Sequence, residues 1–185
     1  MTTLLDPIQN EQAAKVLTAI QEIPAMRHLP VLDRLSRDTD IALEACFKRV
    51  TDGYSDDLIR RIRRELFGFG FLEDVWEDEE ITEILLLGSD QVWIERNGTL
   101  KRGEDRFLDR ATYRNFVARL SREARTHTDE NAPFANGRWR NFRVHISSEP
   151  IVHGPPHISL RRIRSSPWTL EALEDRGFMD ERGRA

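Results

Sequence analysis

The sequence predicts an α+β fold, with helices leading and a mostly antiparallel sheet following. Three observations carry this. Through residue 67 the apolar residues recur at three- and four-residue spacing, as on one face of a helix. From Glu83 onward the apolar residues come instead in short runs or in strict alternation, as in strands. Between two such runs stands Asn97-Gly98, a dipeptide that favours the tight turn of an antiparallel hairpin.

Taken in order, Asp6 before Pro7 gives an N-cap and a first-turn proline. Ile8, Val16, Leu17, Ile20 and Ile23 then form one stripe, broken by Pro24 and Pro30. Val31, Leu32 and Leu35 open a short second helix, and a third starts at Asp38 with Ile41, Ala42, Ala45 and Cys46 on one face, ending near Gly53. Residues 55–67 form a helix capped by Ser55, with Asp56 and Asp57 in its first turn, where the helix dipole favours negative charge. Ile59, Ile62 and Leu66 mark its buried side, which leaves Arg60, Arg61, Arg63 and Arg64 for the surface.

Residues 83–87 and 91–96 read as strands, with 99–107 returning as the partner of the second. Asp109 caps a helix to about Arg125 through Tyr113, Phe116, Val117, Leu120 and Ala124. Residues 142–147 and 157–163 are two further strands, and residues 169–177 begin a last helix with Thr169 as its cap.

Composition excludes several functions. The 185 residues carry a net charge of -4, so the whole chain is no polyanion binder. The single Cys46 excludes an internal disulfide and a thiolate metal cluster. The opening residues lack a signal-peptide pattern and no run suits a membrane span, so a cytoplasmic protein is expected. His153 and His157 are separated by Gly154, Pro155 and Pro156, which no helix accommodates, so a helical zinc pair is excluded. The seven acidic residues from Glu73 to Glu83 lack the alternation of a calcium loop and read as a solvated face. No catalytic residue and no metal ligand is expected. "GFGFLED" fails as a phosphate loop, because it follows a helix and places Glu73 where the third glycine belongs. Its glycines suit a helix stop and a tight turn.

One imbalance survives. From Arg138 to Arg164 the basic residues are Arg138, Arg140, Arg143, Arg161, Arg162 and Arg164, with Glu149 the lone acid and Trp139 and Phe142 interleaved. This is either a set of solvated arginines on strand edges or an anion site, since guanidinium forks match phosphate oxygens.

The order of these landmarks resembles the N-terminal domain of type II/IV secretion ATPases, in the CpaF/TadA branch. The resemblance runs through "LFGFGFLEDVWEDEEITEILLLGSDQVWIERNGTL", "DENAPF", "FRVHI", "HGPPHISLRRI" and "SPWTLEALEDRGFMDE", about residues 55–180. It implies a PAS-like α/β domain over 54–168 behind a helical extension over 1–53, with 169–185 opening a linker toward a motor domain. It also implies a hexameric ring in which Arg143 and Arg161, with Arg162 and Arg138 beside them, face the phosphates of a nucleotide held by the motor. The family's Asp-Gly turn before the arginine strand is replaced by Asn141–Phe142.

No G-x-x-x-x-G-K-[ST] occurs in these residues, so no ATP hydrolysis is expected from them. ATP binding by the chain alone is expected to be weak or absent, and a real site is expected only together with a motor domain. The implied partners are a secretion or pilus ATPase motor subunit or a membrane platform protein, with membrane association only through them and oligomerisation possible. Two rivals stand beside this: a nucleic-acid-binding module using the arginine and tryptophan surface, which the acidic balance disfavours, and a non-functional gene remnant.

Overall fold

The computed structural model describes residues 5–22, 37–163, 169–175 and 177–178. The expected helix at Val31, Leu32 and Leu35 lies outside these residues, as do Ile23, Pro24, His28, Pro30 and Arg164. Helix α1, Pro7–Gln21, begins on a capping box in which the Asp6 carboxylate accepts from Gln9 N and the Gln9 carboxamide accepts from Asp6 N. Helices α2, Arg37–Thr51, and α3, Asp56–Phe67, follow, the latter capped by Ser55. Val16, Leu17 and Ile20 of α1 are buried against Phe47 of α2 and Leu58, Ile62 and Leu66 of α3. Two expected core positions face solvent instead: Ile8 is 70% exposed, and Ala45 is exposed because the buried place on α2 falls to Phe47.

Gly68 stops α3, and both Gly68 N and Gly70 N donate to Arg64 O. Gly70 has a positive φ of 62°, and a Cβ there would meet Glu65 Oε1 at 2.9 Å. Only glycine fits that turn without displacing a buried carboxylate. The Glu73 side chain curls back to accept from Phe69 N, which supports the reading of this stretch as a helix stop. The short helix α4, Leu72–Val75, then leads into the sheet.

Strands β1 (Ile81–Leu86), β2 (Val92–Arg96) and β3 (Thr99–Arg102) form one antiparallel meander. The β2–β3 turn is Asn97-Gly98, both at positive φ as a two-residue hairpin turn requires. Helix α5, Arg110–Glu123, crosses over to a second meander of β4 (Phe134–Trp139), β5 (Phe142–Ser147) and β6 (His157–Arg162). Strand β6 pairs with β1, which gives one antiparallel sheet in the order β3-β2-β1-β6-β5-β4. A short helix, α6, covers Leu170–Glu174, where the sequence begins a helix after Thr169.

Tyr113, Phe116 and Leu120 of α5 pack on Ile84, Leu86, Val144, Ile146, Ile158 and Leu160 of one sheet face, with Phe69, Trp76 and Trp139 at its end. The residues alternating with these strand positions form the outer face and are exposed or half-exposed. Among the described residues no helix is long and apolar enough to cross a membrane.

Candidate anion site on the outer sheet face

Pairing register builds the site. Arg138 of β4 stands opposite Arg143 of β5, Arg143 opposite Arg161 of β6, and Arg161 opposite Glu83 of β1. All three arginines are exposed, and all three alternate with buried residues, so they share the outer face. Strands lie about 4.8 Å apart, so the row is about 10 Å wide. Like charges directly opposite one another disfavour pairing. Among the described residues no ion pair relieves Arg143 or Arg161, and Arg138 reaches only the Arg140 carbonyl, at 3.5 Å. Glu83, the nearest acid in the row, instead accepts from Ser159 Oγ at 2.8 Å. Three unrelieved guanidiniums in register form a surface that an oxyanion would stabilise.

Arg162 stands apart. It lies on the core face, where Nε donates to Ile81 O at 2.6 Å and Nη2 donates to Trp76 O at 2.7 Å and Asp78 O at 2.6 Å. Its guanidinium stacks on Phe142, 4.6 Å from the ring centroid. Arg162, expected beside the phosphate arginines, spends these donors tying β6 to Trp76, Asp78 and the first residue of β1. Arg140 also leaves the row, because it sits in the β4–β5 turn at φ 53° over the Trp76 ring, 4.1 Å from its centroid. That turn is Arg140–Asn141 and not Asn141–Phe142, since Trp139 pairs with Phe142.

Two features escaped the sequence reading. Arg61, expected on the surface, is 5% exposed: its Nη1 and Nη2 hold both Asp105 carboxylate oxygens at 2.7 and 3.0 Å, and Nη2 also donates to Arg106 O. Beside it lies buried Glu65, 3.0 Å from Arg61 Nη2. Burial pushes the Glu65 carboxyl up to about 7, against the pull of Arg61. Arg119 of α5 donates to Glu65 O and Leu66 O, satisfying carbonyls at the end of α3, and burial draws it down to about 10. The second feature is a half-open cavity of about 610 Å³ on the core side of the β2–β3 hairpin, floored by Phe71, Ile81 and Ile94. Its rim mixes Arg96 and Lys101 with Glu104 and Asp105, and it does not include the arginine row.

No family model matches the chain. Over 129 residues the chain is 28% identical to a candidate conjugal transfer protein of Mycobacterium tuberculosis, found in strain H37Rv and again in strain CDC 1551; the match takes in 66% of this chain and 37% of the relative. The chain therefore spans little more than a third of the curated relatives it matches. Among solved structures, the crystal structure of the VirB11 ATPase from the Brucella suis type IV secretion system in complex with sulphate is 20% identical, with a TM-score of 0.45, covering 58% of this chain and 34% of that one. That likeness is too loose to carry an argument. The relation to conjugal transfer proteins fits the secretion-ATPase resemblance in outline, and nothing in it singles out the CpaF/TadA branch.

Proposed function

We propose that this chain forms the N-terminal, nucleotide-facing part of a secretion or conjugal-transfer ATPase assembly. The motor that holds the nucleotide would lie elsewhere in that assembly, on this polypeptide or another. Its role is to dock on the motor and to present Arg143 and Arg161, with Arg138 beside them, to the nucleotide phosphates. The observation that carries this reading is the register: three exposed arginines face one another on adjacent strands, and among the described residues none of them is in an ion pair. An arginine brought to a phosphoryl group by a second domain stabilises the charge that develops there, and is worth about 10³–10⁵ in rate where it has been measured. The motif order resembles that of the CpaF/TadA branch, and on that resemblance the proposed assembly is a hexameric ring.

The test is capture of the chain from its own cells at native level, followed by assay of the captured complex. A phosphate-loop ATPase in that complex is the expected result. The double substitution Arg143→Ala with Arg161→Ala should then lower ATPase turnover by about a hundredfold or more while the complex still assembles. Unchanged turnover in the assembled double variant would remove the phosphate role.

A further inference from the structure

We infer that Trp93, with Leu85 beside it on the β1–β2 side of the outer face, seats the base of the same nucleotide whose phosphates meet the arginine row; this rests on the phosphate reading above. The outer face changes character in a fixed order across the sheet. Strands β4, β5 and β6 contribute the cations Arg138, Arg143 and Arg161. In the same row β1 and β2 contribute Glu83 and Glu95, which stand opposite each other. Two residues along, Leu85 stands opposite both Ser159 and Trp93, and Trp93 opposite Arg102.

Trp93 is the anchor of this side. Trp76 and Trp139 are buried in the core, whereas Trp93 alternates with core-facing Val92 and Ile94 and is half-exposed on the outer face. Leu85 beside it is also half-exposed. A large aromatic left partly in water, flanked by an aliphatic side chain, is a platform on which a base can stack.

The two carboxylates orient the ligand. Glu83 accepts from Ser159 Oγ, and Glu95 from Thr82 Oγ1 at 2.6 Å, so both remain acceptors. They repel phosphate, which confines the phosphates to the side of β6, β5 and β4, and they can accept from sugar hydroxyls. Strand spacing and rise put Trp93 about 12 Å from Arg161, Cα to Cα, which an extended nucleoside triphosphate can bridge. An acidic peptide would have no use for two carboxylates between the cations and the tryptophan.

The test is an NMR titration of the chain up to about 10 mM ligand, a range that reaches millimolar dissociation constants. The ligands are ATP and inorganic tripolyphosphate, and the readouts are the Trp93 indole N–H and the guanidinium signals of Arg143 and Arg161. ATP should bind more tightly than tripolyphosphate. Trp93→Ala should weaken ATP about tenfold and leave tripolyphosphate unchanged, with recovery in Trp93→Phe. Arg143→Ala should weaken both. If ATP and tripolyphosphate bind alike, and Trp93→Ala changes neither while Arg143→Ala weakens both, the base seat is wrong and the phosphate reading stands. If neither ligand shifts the arginine signals, the base seat is overturned, while the phosphate reading stands or falls with the turnover of the captured complex. If a short single strand of DNA binds more tightly than ATP, with affinity falling steeply in salt, the face is a nucleic-acid platform and the base seat is overturned.

Discussion

Two groups of arginines in this chain meet opposite fates. On α3, Arg60 pairs with Asp57, Arg61 with Glu65 and Asp105, Arg63 with Glu44 of α2, and Arg64 with Glu73 and Asp74. On the outer sheet face, Arg138, Arg143 and Arg161 stand side by side with no ion pair among the described residues. The first group is neutralised in place and joins α3 to its surroundings. The second leaves its charge to something outside the fold. The difference separates arginines that hold the structure from arginines that await a ligand, and substitution should separate them in the same order.

The largest effect is expected at Arg61. Arg61→Ala leaves Glu65 and Asp105 without their main counter-charge where α3 meets the 103–108 segment, and should cost about 3–5 kcal/mol in chemical denaturation. Next comes Arg162→Ala, which frees three carbonyls and the stack on Phe142, for about 2–3 kcal/mol by the same measurement.

Glu65 supplies a pH signature. Its folded-state value lies above its ordinary one, so the folded chain binds the extra proton more tightly than the unfolded chain. That contribution is complete below about 4.5 and is lost as pH rises through about 7. Glu65→Gln should flatten the fall in stability across this window, measured by denaturation at a series of pH values.

Arg64→Ala, which removes a part-exposed pair, should cost about 1 kcal/mol or less. The smallest change is expected at Arg143. Arg143→Ala should alter stability by less than about 0.5 kcal/mol, with its sign toward stabilisation because a like-charge contact is relieved. A large loss at Arg143 would place it with the structural group and end the comparison.

Much of this was legible in the sequence. The caps at Asp6, Ser55 and Asp109, the Asn97-Gly98 turn and the strands at 142–147 and 157–162 all rest on local chemistry, and local chemistry is what a pattern reports. Arg61 was misread because residue type outweighed position. It lies three residues from Leu58 and four from Glu65, on the flank of the buried stripe, and its partner Asp105 is 44 residues away. Strand β4 was missed because "FANGRW" carries asparagine and glycine. It is an edge strand, paired on one side only, and Gly137 is useful there because a Cβ would meet Ala124 O at 2.8 Å. The arginine imbalance was visible, but its row was not. One signal could have shown it: Arg138 and Arg143 sit symmetrically about Arg140–Asn141, which is the spacing of cross-strand neighbours around a two-residue turn.

The position of β6 has a consequence for the order in which the molecule can be completed. Among the described residues it is the last strand in sequence, yet it lies in the middle of the sheet, between β1 and β5. As the polypeptide leaves the ribosome, the two hairpin systems can each zip up, but they stay separate until residues 157–162 emerge and bridge them. Arg161 arrives on that same strand. The cationic row is therefore assembled only by the event that joins the two halves, and a nascent chain shows no finished row before its sheet is whole.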